Sequence, residues 1–328
     1  MRLVQLAGPG GRRVGVVEDA RLQLLKKHES VWALAQAALA DGISLAQAAD
    51  ISGETLGYDA VHAGTSDWHI LPAIDHPQEP ARCLVSGTGL SHIRSAENRQ
   101  AMHAAGEQVT DSMRMYQWGV EGGRPAEGTI GVAPEWFYKG TGGNLRGHNQ
   151  PLEVPAYAED GGEEPEIAGI YIVDRSGKPR RIGMAPGNEF SDHVFEKKNY
   201  LYLAGSKLRT CAIGPELVTD PRFDLVPGEV AIEREGAVIW SRKIRTGQSV
   251  MCHSLANLEH HHFKFEAHRR PGDVHVHFFG ADAFSFGEGV RLRDGDVMQV
   301  NFEGFGRALR NPVRVVGAGQ DLVRVEPV

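Results

Sequence analysis

The feature that most restricts the fold of this chain is its punctuation. Past residue 76, apolar residues come in short β-type runs, and Gly or Pro closes most of them. The runs include Cys83–Val85, Ile167–Val173, Gly228–Ile232, Ala237–Trp240, Val274–Phe279 and Val297–Phe302. Short runs rich in β-branched residues and bounded by turn formers read as strands. The 40 glycines and 17 prolines supply the turns between them. Helical periodicity is scarce: Leu90–Gly106, with His92, Ala96 and Gln100 at i, i+4 spacing, and Ser254–Phe265 are the clear cases. Many strands with few helices favour a curled α+β, strand-rich fold over an alternating βαβ sheet.

The first 76 residues read differently, as a small α/β unit. Arg2–Leu6 and Val14–Val17 are strand-like around the turn Gly8-Pro9-Gly10-Gly11. Ser30 fits the N-cap of a helix carrying Val31, Leu34, Ala35, Ala38 and Leu39 on one face and stopping near Gly42. A second, alanine-rich helix follows at Ser44–Ala49. Pro72 and Pro77 then interrupt any regular element, which sets an expected boundary between residues 1–76 and a larger domain over 77–328.

Composition closes off several function classes. Thirty-five Lys+Arg against 42 Asp+Glu leave a net charge of −7, no basis for a nucleic-acid footprint. No apolar run reaches the ~18–20 residues a membrane helix needs, and no signal-peptide h-region precedes Gly8 and Pro9. Three widely spaced cysteines, Cys83, Cys211 and Cys252, fit packing residues in a reducing cytoplasm better than a disulfide framework. The expectation is a cytoplasmic protein without membrane or nucleic-acid partners.

The chemistry concentrates in Glu163-Glu164-Pro165-Glu166-Ile167-Ala168-Gly169-Ile170. In a strand, Glu164 and Glu166 point to one face, at the start of a run that should be buried. Two adjacent carboxylates at a buried edge repel and are costly to desolvate unless a cation lies between them. Oxygen ligands of this kind suit Mg²⁺ or Mn²⁺. Asp192 or His193, in Gly187-Asn188-Glu189-Phe190-Ser191-Asp192-His193-Val194, could complete a three-ligand site. Of the histidine clusters, His275 and His277 share one strand face. His260, His261 and His262 diverge on a helix and cannot all bind one ion. No dinucleotide or Walker loop is present, and no Gly-x-Ser-x-Gly elbow.

Taken in order, these pieces resemble the fumarylacetoacetate hydrolase superfamily. Pro134…Phe137…Lys139 matches its P-x-x-F-x-K loop, and Glu164-Pro165-Glu166-Ile167-Ala168-Gly169-Ile170 its E-x-E-x-A-x-x-I strand. The segment from Gly187 to Val194 stands where the family has its Gly-initiated N-D-V text. Lys207–Pro215 and the ending from Arg270 through Asn311-Pro312-Val313 follow, so the resemblance covers roughly residues 80–315. It implies a mixed β-roll, a carboxylate-held Mg²⁺ or Mn²⁺, 2-keto or diketo acid substrates, and a homodimer. Carried over by position, it makes Glu164 and Glu166 metal ligands. Matching the family's Asn-Asp to Asp192-His193 leaves the third ligand between these two, and a hard ion's preference for oxygen favours Asp192. Lys207 takes the family's lysine role. Lys139, Ser86, Gly280 and Ala281 fall at substrate-contacting positions.

One departure matters. Hydrolytic members carry H-x-x-E in the early helix to activate water; here His92 is followed by Ser95, and Glu97 lies five residues on. The text Gly187-Asn188-Glu189-Phe190-Ser191-Asp192-His193 is instead similar to that of sugar-acid dehydratases in the superfamily. The resemblance therefore implies Mg²⁺-dependent dehydration of a 2-keto-3-deoxy sugar acid, such as a pentonate giving 2,5-dioxopentanoate. It would proceed through an enolate, with Lys207, His92 and Glu97 as acid–base candidates. Hydrolysis of a diketo acid or acylpyruvate, decarboxylation of an oxaloacetate-like acid, and non-catalytic sugar-acid binding are the competing readings.

Overall fold

Nine consecutive residues, Pro165–Val173, are buried on both sides of one strand. Such a strand shows no polar–apolar alternation because both of its faces are covered. It lies inside a 13-stranded sheet of the computed structural model, which describes residues 1–103, 110–317, 319 and 322–328. Pro179–Asn188 flanks it antiparallel on one side and Val274–Phe278 on the other. Val274–Phe278 runs parallel to Cys83–Gly89, and Glu135–Thr141 closes that edge. A second, five-stranded sheet has the order Ala237–Thr246, Val226–Arg234, Val297–Phe302, Leu309–Val315, Leu152–Val154. A core that includes Ile167, Met184, Val230, Val300, Phe302 and Leu309 lies between the sheets.

Directly paired residues in a sheet share a face, and successive residues alternate. One face of the central strands therefore carries Glu166, Ala168, Ile170 and Ile172, with Phe278, Val276 and Val274 from the neighbour. Gly169 and Tyr171, with His277 and His275, occupy the other. Next along, Val85 and Gly87 align with the first set, and Ser86 with His277. Gly87 and Gly89 pair with Phe137 and Glu135, which places those two side chains on the glutamate face.

The α+β, strand-rich expectation holds. Ser30 caps the helix Val31–Asp41 through the Ala33 N–H, and Gly42 ends it in the left-handed conformation. Strands Arg2–Gly8, Gly11–Glu18, Arg21–Leu25 and Ile51–Gly57 form a meander whose first strand pairs with Leu217–Val218. The main sheet thus runs unbroken across residue 76. The helix expected over Leu90–Gly106 is observed at Ile93–His103, and residues 104–106 fall outside the described residues. A further helix, not expected from the sequence, spans Asp111–Gly122; Thr110 caps it and its buried residues are Ser112 and Gly119. Among the described residues, no helix is long and apolar enough to cross a membrane.

A buried carboxylate, Glu216, ties the meander to the rest. It accepts from the Tyr58 hydroxyl at 2.8 Å, the Arg307 N–H at 3.1 Å and Arg2 Nη1 at 3.1 Å. Burial, then the Glu216 charge, pushes the Tyr58 hydroxyl far above its usual range, so it stays a donor. Tyr58→Phe leaves the carboxylate short of one buried donor and is expected to cost about 1.5–3 kcal/mol in urea denaturation.

Candidate active site

Three carboxylates converge on the glutamate face. Glu164, Glu166 and Glu189 each offer an oxygen, these oxygens lie within 4.8 Å of one another, and all three residues are buried. Glu166 lies on the strand Pro165–Val173 and Glu164 immediately before it, two residues apart, and the chain leaving Pro179–Asn188 supplies the third. Two ammonium groups partly neutralise them. Lys207 Nζ donates to Glu164 Oε1 and Glu189 Oε2 at 2.6 Å each and to Ser191 Oγ at 2.9 Å. Lys139 Nζ lies 2.8 Å from Glu189 Oε1 and also donates to the Phe190 carbonyl. On the far side, the Gly280 N–H donates to Glu166 Oε2 at 2.7 Å. Gly280 has φ +97, and a Cβ there would stand 2.0 Å from Ser91 Oγ, so this contact requires glycine.

The electrostatics leave room for a cation. Burial, followed by the charges of Glu189 and Glu164, drives the Glu166 carboxyl well above its ordinary range. Glu189 is pushed up by burial and by Glu164. At Glu164 burial also pushes upward, but Lys207 and the His193 hydrogen bond outweigh it and hold the group well below. A cation beside Glu166 would supply the positive charge that keeps it ionised, and an all-oxygen donor set matches a hard divalent ion. The residues present fit such a metal.

Asp192 is not the third member of this cluster; Glu189 is. Asp192 caps the helix His193–Lys198 through the Phe195 N–H, accepts from the Glu159 N–H, and pairs with Arg209 at 3.0 Å. The signal was available in the sequence. Gly187-Asn188-Glu189-Phe190 aligns with Gly-N-D-V without a gap if Glu replaces Asp, and strand parity puts Glu189, not Asp192, next to Glu164 and Glu166. His193, the fallback, donates from Nε2 to Glu164 Oε1 at 3.0 Å and so orients a candidate ligand.

The other expected site residues separate into groups. Lys207 lies within the cluster, its Nζ 4.8 Å from the Phe137 ring centre. Lys139 sits beneath Glu189, fully buried in an ion pair. Ala281 packs with Phe284 and Phe286 next to Gly280. Ser86 belongs to the opposite face, where its hydroxyl meets His277 Nδ1 at 2.8 Å. His92 is buried between Ser91 Oγ at 2.9 Å and Thr246 Oγ1 at 3.2 Å, and burial lowers it to about 4. Both of its ring nitrogens are engaged by hydroxyls, and Glu97 is exposed on the following helix, so no His92–Glu97 dyad forms. The sequence reading passed over Glu135, a buried carboxylate that accepts from the Tyr200 hydroxyl at 3.2 Å. Glu135, Phe137 and Lys139 form a row on the inner face of one strand: Lys139 supports Glu189, Phe137 lies against Lys207, and Glu135 comes next. That row gives the P-x-x-F-x-K motif its physical meaning. Gly89 keeps space for it, since a Cβ there would stand 1.9 Å from Glu135 Oε1.

Comparison with known proteins follows the same line. No family model matches the chain. A 2-dehydro-3-deoxy-D-arabinonate dehydratase from Saccharolobus solfataricus is 31% identical over 122 residues, which span 36% of this chain and only 40% of that relative. A crystal form of 2-keto-3-deoxyarabinonate dehydratase superposes with TM-score 0.71 at 21% identity, covering 97% of this chain and 100% of that one. The chain has the fold of this 2-keto-3-deoxyarabinonate dehydratase structure. A structure of 2-keto-3-deoxy-D-arabinonate dehydratase with magnesium and 2,5-dioxopentanoate gives the same TM-score of 0.71 at 21% identity, covering 96% and 99% of the two chains. A 5-carboxymethyl-2-hydroxymuconate delta-isomerase from Mycobacterium smegmatis matches at TM-score 0.57 and 20% identity, over 96% of this chain and 100% of its own.

Two predictions follow from this geometry. Glu189→Gln is expected to weaken Mg²⁺ binding by at least about tenfold. Asp192→Asn, which keeps the side chain's shape, should leave that affinity within a factor of about three in isothermal titration calorimetry and lower stability through Arg209. The second concerns acid. Burial holds His92 at about 4 and His275 and His277 at about 3. Each is therefore neutral when folded but takes a proton on unfolding below pH 6.5. Their contribution is fully present above pH 6.5 and is lost as pH falls toward 4. At pH 5 each should cost about 2 kcal/mol relative to pH 7, read from urea midpoints.

Proposed function

We propose that this chain is a divalent-metal-dependent hydro-lyase that removes water from a 2-keto-3-deoxy sugar acid, converting a pentonate into 2,5-dioxopentanoate. The observation that carries the reading is the buried Glu164–Glu166–Glu189 cluster with Lys207 inside it, while His92 has no carboxylate partner in Glu97. The dehydratase relatives support it, one of them described with magnesium and the dioxo product.

Bound at Glu164, Glu166 and Glu189, Mg²⁺ or Mn²⁺ would supply stabilisation for negative charge growing on the C2 oxygen of a 2-keto acid. The chain's own residues then have two tasks: accepting a proton from C3 and giving one to the departing C4 hydroxyl. Lys207 donates to two carboxylates at 2.6 Å, which keeps it an ammonium group and suits it to donation. Glu135, in the row beyond Phe137, is the carboxylate assigned to accept the C3 proton. Loss of one C3 proton and the C4 hydroxyl releases one water, and tautomerisation of the C5 alcohol yields the aldehyde. His92 has no part in this assignment, because Ser91 and Thr246 occupy both of its nitrogens.

The proposal extends to a homodimer, as the resemblance implies, and to a cytoplasmic setting, which three buried free cysteines suit. The test is a mass assay with 2-keto-3-deoxypentonates and 2,4-diketo acids in parallel, with and without chelator. Loss of 18 mass units that the chelator suppresses is expected. Two carboxylic acid fragments would identify a hydrolase, and tight sugar-acid binding without turnover or metal would identify a binding protein. Glu166→Gln should lower kcat by at least about a hundredfold while near-UV circular dichroism is unchanged.

A further inference from the structure

We propose that His262, His268 and His275 form a second metal site, of the nitrogen-donor class that takes Zn²⁺, on the sheet face opposite the carboxylates. Each ring offers a nitrogen, and the three nitrogens lie within 4.8 Å of one another. The rings come from separate elements: His262 from the helix Leu255–Phe263, His268 from the turn Glu266–Arg269 and His275 from the strand Val274–Phe278. His262 and His275 are buried, and His268 is half-buried.

The detail of the cluster matches what a metal requires. Trp136 Nε1 donates to His262 Nδ1 at 3.2 Å, so the His262 proton sits on Nε2, which donates to His275 Nδ1 at 2.9 Å; a metal would take the place of that proton. Two nitrogens on one tetrahedral zinc stand about 3.3 Å apart for Zn–N bonds of about 2.0 Å, so only a small separation of the rings admits the ion. His268 Nδ1 lies 2.6 Å from the His262 carbonyl, which can only accept. Its proton is therefore on Nδ1 and its lone pair on Nε2, the arrangement in which a backbone carbonyl fixes the tautomer of a ligating histidine. Burial and the neighbouring imidazoles hold His262 and His275 neutral, the form that binds metal. Imidazole donors favour Zn²⁺, Ni²⁺ or Cu²⁺ where the carboxylates favour Mg²⁺, so each face has its own preference. A metal here would clip the helix and the turn onto the strand that leads, five residues beyond His275, to Gly280 and its contact with Glu166.

The experiment is a calorimetric Zn²⁺ titration of the full chain, stripped of metal and then supplied with millimolar Mg²⁺. One Zn²⁺ per chain is expected, with a rise in melting temperature. The affinity should fall at least tenfold in His268→Ala and stay within threefold in Glu166→Gln. His268 is half-buried on a short turn, and far-UV circular dichroism verifies that its variant folds; His275→Gln repeats the test from the strand. Absence of Zn²⁺ binding overturns the proposal. So does binding that survives His268→Ala but disappears in Glu166→Gln, which would place the ion among the carboxylates.

Discussion

Burying three carboxylates within 4.8 Å of one another is the constraint to which the surrounding structure answers. Uncompensated, such a cluster would take up protons or not form at all. Lys207 bridges Glu164 and Glu189, Lys139 supports Glu189, His193 donates to Glu164, and Gly280 presents a backbone N–H to Glu166. Each of these groups is itself buried, so its charge or dipole acts with little screening from water. The site is preorganised in the sense that catalysis needs: its dipoles are in place before any substrate arrives.

The same compensation explains why the lysines are not interchangeable. Lys139, at the bottom of the row, spends its charge on Glu189 and on a carbonyl, which leaves it a supporting role. Lys207 reaches into the cluster from a short helix, Leu203–Lys207, with its ammonium group over the Phe137 ring. A flexible four-carbon stem with a movable point charge suits a group that must change partners during a reaction, whereas a guanidinium fork would be fixed in place.

Much of this was legible in the sequence, for physical reasons that can be named. Glu164 and Glu166 could be placed on one face because strand parity is invariant, and the buried run after them fixed which face. The caps at Ser30 and Gly42 were readable because they depend on local chemistry alone. Asp192 stood in the expected ligand set because the Asp192-His193 pair was matched to the family's Asn-Asp; the structure brings Glu189 to Glu164 and Glu166 instead, where the strand ends at Asn188. Ser86 and Glu135 show a further limit. Their faces depend on a pairing register containing a bulge between Val85 and Ser86, which no local pattern announces. His92 looked catalytic by position, yet the hydroxyls of its neighbour Ser91 and of Thr246, far along the chain, engage both of its ring nitrogens.

The strict alternation along Val274–Phe278 has a consequence for how such a chain can vary. Its even-numbered residues are aliphatic and aromatic, and its odd-numbered ones within the strand are His275 and His277. Deleting or inserting a single residue there would turn the imidazoles into the apolar interior and the hydrocarbon toward the polar cluster, while also misaiming the amide of Gly280. Length changes in this strand are therefore tolerable only in pairs. Natural or engineered variation should obey that even-count rule.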